Sequence, residues 1–137
     1  MEINEMKTCR LALNLRIPPY AAPRNIWRKQ IHTIVKREAE RRHVTYKEND
    51  RLQIDVRLYM NEYEVLVHDV DNRLKDILDA LQGAVGGPKS FRKSNAIIPN
   101  DNQIFRVTLE KILPPKQSHG FGHVRIRKYV PSIKVRR

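Results

Sequence analysis

Three stretches of this chain alternate apolar and polar residues: RLALNLRI at 10–17, RLQIDVRLYM at 51–60 and HVRIRKYV at 123–130. Successive side chains of a strand point to opposite faces, so this period of two predicts strands with one buried side. Leu11, Leu13, Leu15 and Ile17 fall on one face, as do Leu52, Ile54, Val56, Leu58 and Met60, and Val124, Ile126 and Val130. Arg10, Asn14, Arg16, Gln53, Asp55, Arg57, Tyr59, Arg125, Arg127 and Tyr129 fall on the other. Tyr63–Val67 is expected to be a further extended piece, and a fourth strand is expected through Phe105, Val107, Leu109 and Ile112.

Between these stretches the period changes. Trp27, Ile31, Ile34, Val35 and Ala39 recur at helical spacing from Arg24 to Arg42, and Leu74, Ile77, Leu78, Leu81 and Val85 do so over 71–85. Each set makes one apolar stripe that must pack on something. The segment PPYAAP at 18–23 ends the first strand, because proline cannot continue a ladder. GGPKSFRKSN at 86–95 breaks the second helix and forms a basic loop, and LPPKQSHGFG is a linker. The expected fold is α+β (mixed α/β): one small domain over 1–130, with a mostly antiparallel or mixed sheet, two main helices packed on it, and a basic tail at 131–137.

With 137 residues and 40% hydrophobic residues, the chain is large enough for a single core. Its single cysteine, Cys9, excludes an internal disulfide. The opening MEINEMK lacks a secretory pattern, and no apolar run has the length of a membrane span, so a soluble intracellular protein is expected. A formal net charge of +12, from 27 Lys and Arg against 15 Asp and Glu, predicts attraction to polyanions, with nucleic acid ahead of an anionic membrane.

Against that background the stretch HDVDNRLKDILDAL at 68–81 stands out. The chain has seven aspartates, and four of them, Asp69, Asp71, Asp76 and Asp79, fall within these residues. On a helix starting near Asp71, with about 100° per residue, Asp71, Lys75, Asp79 and Gln82 follow one another along a polar strip beside the apolar stripe. Any one of these acids has an ordinary explanation: Asp before a helix caps it, Lys75 and Asp79 can pair at i, i+4, and Asp76 can be solvated. A cap uses only one of Asp69 and Asp71, however, and two carboxylates two residues apart repel unless a cation or several donors lie between them. Hard oxygen donors of this kind suit Mg²⁺ or Mn²⁺. A metal so held polarises a phosphoryl oxygen and activates water, and Lys75 beside it would stabilise the charge of the transition state.

The segment Asp69-Val70-Asp71-Asn72-Arg73-Leu74-Lys75, followed by Leu78-Asp79-Ala80-Leu81, resembles the D-x-D-N-x-x-K…DAL motif of the RusA-type Holliday junction resolvases. Pro99-Asn100-Asp101-Asn102-Gln103-Ile104 is similar to that family's D-D-x-Q-V/I segment, and Pro18-Pro19…Asn25-Ile26-Trp27-Arg28 to its opening. The resemblance covers roughly residues 10–112. It implies a homodimeric endonuclease that binds four-way DNA junctions and nicks two strands symmetrically with a divalent metal. By the same resemblance Asp69, Asp71 and Asp101 would bind the metal, with Lys75 as the essential lysine and Asn72 and Asp79 in support. Where the family often has two adjacent acids, this chain has Asn100 before Asp101.

Arg28, Lys29 and Lys36 on the first helix are candidates for phosphate contact, as are Lys89, Arg92 and Lys93 in the basic loop and Arg125 and Arg127 on the last strand. Phe91, hinged by Gly86 and Gly87, is a candidate wedge between bases. His119 and His123 have no cysteine near them and do not suggest zinc. The expectation is a Mg-dependent endodeoxyribonuclease for branched DNA. The alternative is a basic nucleic-acid-binding protein of ribosomal or architectural type, in which the aspartates are caps and surface pairs. A third option is a nuclease of the same fold acting on a flap or fork.

Overall fold

The structure, a computed structural model, describes residues 11–86, 95–113 and 121–133. Strand β1 (Leu13–Ile17) leads through the proline segment into helix α1 (Arg24–Arg41), which is followed by β2 (Leu52–Tyr59). Two helices come next, the short α2 (Glu62–Val67) and α3 (Val70–Leu81). A single 3₁₀ turn at Asp101–Gln103 opens β3 (Ile104–Ile112), and β4 (Phe121–Lys128) closes the described fold. The sheet order is β1-β4-β2-β3. β4 is antiparallel to both β1 and β2, and β3 is parallel to β2. The fold is thus α+β with a mixed four-stranded sheet. Among the described residues no helix is long and apolar enough to cross a membrane.

The alternation in the sequence becomes the two faces of this sheet. Leu13, Leu15, Ile17, Leu52, Ile54, Val56, Leu58, Val124 and Ile126 are buried beneath the helices. Helix α1 adds Trp27, Ile31, Val35 and Ala39, spaced four apart so that they stack along one side. The Trp27 indole donates to the Pro18 carbonyl at 3.1 Å, so the fully buried ring has its one polar atom satisfied. Tyr20 packs edge-on against it with centroids 5.2 Å apart. Gly122 lies where β4 passes closest to its neighbours. A Cβ there would come within 2.9 Å of side-chain atoms of both Ile17 and Leu58, so only glycine fits without movement.

The sequence reading errs at four places. Tyr63–Val67 is not extended but lies in α2, because the Asn61 side chain caps the turn by accepting from the Glu64 amide at 2.8 Å. Helix α3 ends at Leu81, not at 85: Gly83 takes φ +77°, a left-handed conformation that stops a helix. The buried face of α3 is also turned from the expected stripe. Arg73, Asp76, Ile77, Ala80 and Leu81 are inside, while Leu74 and Leu78 are only half-buried. Finally, Phe105 and Val130 are exposed; the register shift between β2 and β3 at Leu52/Gln53 puts Phe105 out of the alternation.

Candidate functional site

Helix α3 carries the acidic segment, and its packing divides the four aspartates into two kinds. Asp76 is fully buried. Its Oδ1 accepts from Arg24 Nε at 2.9 Å and from Arg28 Nε at 3.1 Å, both reaching across from α1. Arg73 Nη2 lies 3.4 Å from Oδ2, with its guanidinium 3.6 Å over the Tyr20 ring, a cation–π arrangement. Three arginines around one buried carboxylate make a lock between α1 and α3. The lock is not fully satisfied: Arg73 Nε and Nη1 and Asp76 Oδ2 have no hydrogen-bond partner among the described residues. Asp79 stands 3.4 Å from Arg28 Nη2, so it pairs with α1 rather than with Lys75.

Asp69 and Asp71 are of the other kind. Asp69 occupies the N-cap position of α3, yet its side chain makes no capping hydrogen bond. Asp71 lies in the first turn. Both are exposed, as are Asn72 and Lys75 one turn further on. None of the four enters an ion pair or side-chain hydrogen bond among the described residues. The simple explanation of Asp69 as a cap therefore has no support in its geometry.

The turn that presents these carboxylates is held from below. Lys111, near the end of β3, points to the inner side and donates to the carbonyls of Val65 at 2.6 Å and His68 at 2.9 Å. It thereby fixes the last carbonyls of α2, where a cation is favourable. The His68 ring packs edge-on against Tyr20 with centroids 4.9 Å apart. Burial, followed by the nearby Arg73 charge, pushes the imidazole below its ordinary pKa, so it favours the neutral form. No sequence signal marked Lys111, because its partners are backbone carbonyls more than forty positions away.

Asp101 is exposed at the other end of the sheet. It opens the 3₁₀ turn before β3, and Gln103 of that turn donates to the carbonyls of Lys47 and Asp50, just before β2 begins. The rise from the start of β3 to Lys111 is about 23 Å at roughly 3.3 Å per residue. Asp69 sits beside Lys111, so one chain does not bring Asp101 to Asp69 and Asp71. The expected three-carboxylate cluster is not formed within the chain. Among the described residues, no group of three His, Cys, Asp or Glu is placed to hold a metal ion. What one chain does offer is a pair of exposed carboxylates with a lysine one turn on, a donor set that suits a hard cation shared with water and phosphate.

The basic candidates also separate. Arg28 is engaged with Asp76 and Asp79, and Lys36 donates to the Asn95 side chain at 2.9 Å. Lys29 is exposed. Arg125 and Arg127 lie on the outer sheet face, where Arg127 pairs with Asp55 at 3.2 Å. Lys89, Phe91, Arg92 and Lys93 lie outside the described residues, as do Cys9, Gly87 and His119. No family model matches the chain, and no curated protein matches it.

Proposed function

We propose that this chain is a metal-dependent endodeoxyribonuclease of the RusA type, cutting four-way DNA junctions as a homodimer. The observation that carries the reading is the contrast along α3: Asp76 and Asp79 are consumed by arginines, whereas Asp69, Asp71 and Lys75 are displayed without partners at the head of the helix. Like charges two residues apart are costly to maintain, and an ion-binding role explains why they are not neutralised from within.

Asp69 and Asp71 would hold Mg²⁺ or Mn²⁺, which when bound supplies polarisation of a phosphoryl oxygen and a water of lowered pKa. Lys75 supplies a positive charge for the phosphate oxygens as negative charge grows on them. Asn72, exposed in the same turn, is available to hydrogen-bond the DNA backbone or Asp71. Lys111 keeps this turn in place through the carbonyls of Val65 and His68. The third carboxylate then has to come from a second copy. β3 is an edge strand of the sheet. A two-fold axis beside it sets the start of one β3 against the end of the other, which carries the second copy's Asp101 toward Asp69. The same axis matches the two-fold symmetry of a four-way junction.

The test is a labelled four-way junction, a linear duplex and a flap, each with and without Mg²⁺. Metal-dependent nicking of the junction is expected. Asp71→Asn is expected to abolish nicking and retain junction binding; cleavage at the wild-type rate by this variant would refute the site. The non-catalytic binding protein remains the second reading, favoured by the basic outer sheet face. It is chosen if the junction is bound with no cleavage under any divalent metal.

A further inference from the structure

The helices cover one face of the sheet, and the other is open. The strand registers fix which side chains share that face. One row across it runs Arg16, His123, Arg57, Glu110, and the next runs Asn14, Arg125, Asp55, Thr108. A third holds Arg127, Gln53 and Arg106. Five arginines thus face two carboxylates, and Asp55 is already paired with Arg127. Arg16, Arg57, Arg106 and Arg125 are exposed. Between these rows lies a trough of about 690 Å³ with Arg57, Arg125, His123 and Asn14 on its walls.

Aromatic rings mark both ends of this surface. At one end Tyr59 and Phe121 stack with centroids 4.5 Å apart, and the Arg16 guanidinium lies 4.0 Å over the Phe121 ring. At the other end Phe105 and Tyr129 lie 5.3 Å apart, with Arg51 over Phe105. Phe121 and Tyr129 are eight residues apart, about 27 Å along an extended strand. Guanidinium groups match phosphate oxygens in a planar, bidentate way, and ring faces accept any base. A duplex keeps its bases stacked on one another and cannot offer them to rings on a flat surface. An unpaired strand can.

We propose that the open sheet face is a track for unpaired nucleotides, in which the Tyr59–Phe121 and Phe105–Tyr129 pairs stack bases and Arg16, Arg57 and Arg125 hold the phosphates between them. The length suits on the order of four nucleotides. The proposal deepens the nuclease reading, since the centre of an open junction exposes such nucleotides, and it rests on that reading only for the nature of the ligand. The track lies on the face away from the α3 helix and uses none of the carboxylates Asp69, Asp71 or Asp101.

The experiment is fluorescence anisotropy in EDTA with a labelled eight-residue oligothymidylate and a duplex of equal length. The full chain is expected to bind the single strand at least tenfold more tightly than the duplex. Arg57→Glu with Arg125→Glu should weaken binding more than tenfold and flatten its salt dependence. Phe121→Leu should weaken it about tenfold at unchanged salt slope. Asp71→Asn should bind as the unmodified chain does, so loss of cleavage and loss of this track are read separately. Thermal melts check folding, and the two exposed arginines serve if the Phe121 variant does not fold. Equal affinity for duplex and single strand overturns the proposal. So does undiminished binding by the folded double arginine variant. If that variant instead turns a dimer into a monomer in sedimentation, the face is an interface between copies and the track is refuted.

Discussion

Arg28 on α1 and Asp76 on α3 are held together at 3.1 Å although 48 positions separate them in the chain, and the carboxylate has no solvent exposure. Charges buried this deeply are costly to separate from their partners. Removing one side leaves the others desolvated and unpaired, a loss of about 3–5 kcal/mol.

Asp76→Ala should therefore lower stability by an amount in that range, read as a fall in the urea midpoint with little change in slope. Asp71→Ala, two turns away on the exposed side, should move the midpoint by less than about 0.5 kcal/mol. Equal effects of the two would mean that Asp76 is not the lock between the helices.

The separation of Asp101 from Asp69 gives a test of the dimer that needs no structure of it. Asp71→Asn and Asp101→Asn should each be inactive alone. Mixed and allowed to exchange subunits, they should regain nicking at roughly a quarter of the unmodified site density, because a heterodimer has one site with all three carboxylates intact. If all the acids of a site came from one chain, mixing would restore nothing.

Lys111 acts on the acidic turn through backbone carbonyls, so its loss should affect the reaction more than binding. Lys111→Met is expected to lower the single-turnover rate about ten- to a hundredfold while junction affinity changes less than threefold. It should also raise the metal concentration needed for half-maximal rate, and Lys111→Arg should recover part of both. A change confined to melting temperature would count against a positioning role.

Asp55 predicts a pH effect on the outer face. Burial raises its carboxyl, but the Thr108 hydroxyl at 2.7 Å and the Arg127 guanidinium outweigh this and hold it below the ordinary value of 3.8. Folding stability from this group is full above that value and is lost as pH falls through the lower folded one. Asp55→Asn should remove this acid-side slope from urea titrations at a cost of about 1 kcal/mol or less at neutral pH, because the pair is partly solvated. It should also tighten oligothymidylate binding, by taking a negative charge off the basic face.

The sheet could be read from the chain because burial of one face imposes a period of two that local inspection detects. Leu13 to Ile17, Leu52 to Leu58 and Val124 to Ile126 all keep it. Helix α2 could not be read, since none of its residues is buried and its apolar side chains, Tyr63, Leu66 and Val67, face outward. No packing requirement shaped its pattern. The lock around Asp76 was hidden for a different reason: a solvated acid and a buried one look alike until the arginines of α1 arrive from far along the chain. For the same reason Arg28 and Lys36 appeared free to meet phosphate when both are engaged inside the protein. The exposed Asp69, Asp71 and Lys75 were legible as a set from their spacing on α3; the distance to Asp101 was not, because it depends on β3 running parallel to β2.

β4 lies between β1 and β2, so the last strand to be synthesised joins the first to the rest of the sheet. A nascent chain that has not yet released residues 121–128 from the ribosome holds β1 without any hydrogen-bonding neighbour. Assembly of the core must then wait for translation to finish, and a message cut short before Phe121 would yield a product destined for proteolysis rather than a smaller working protein.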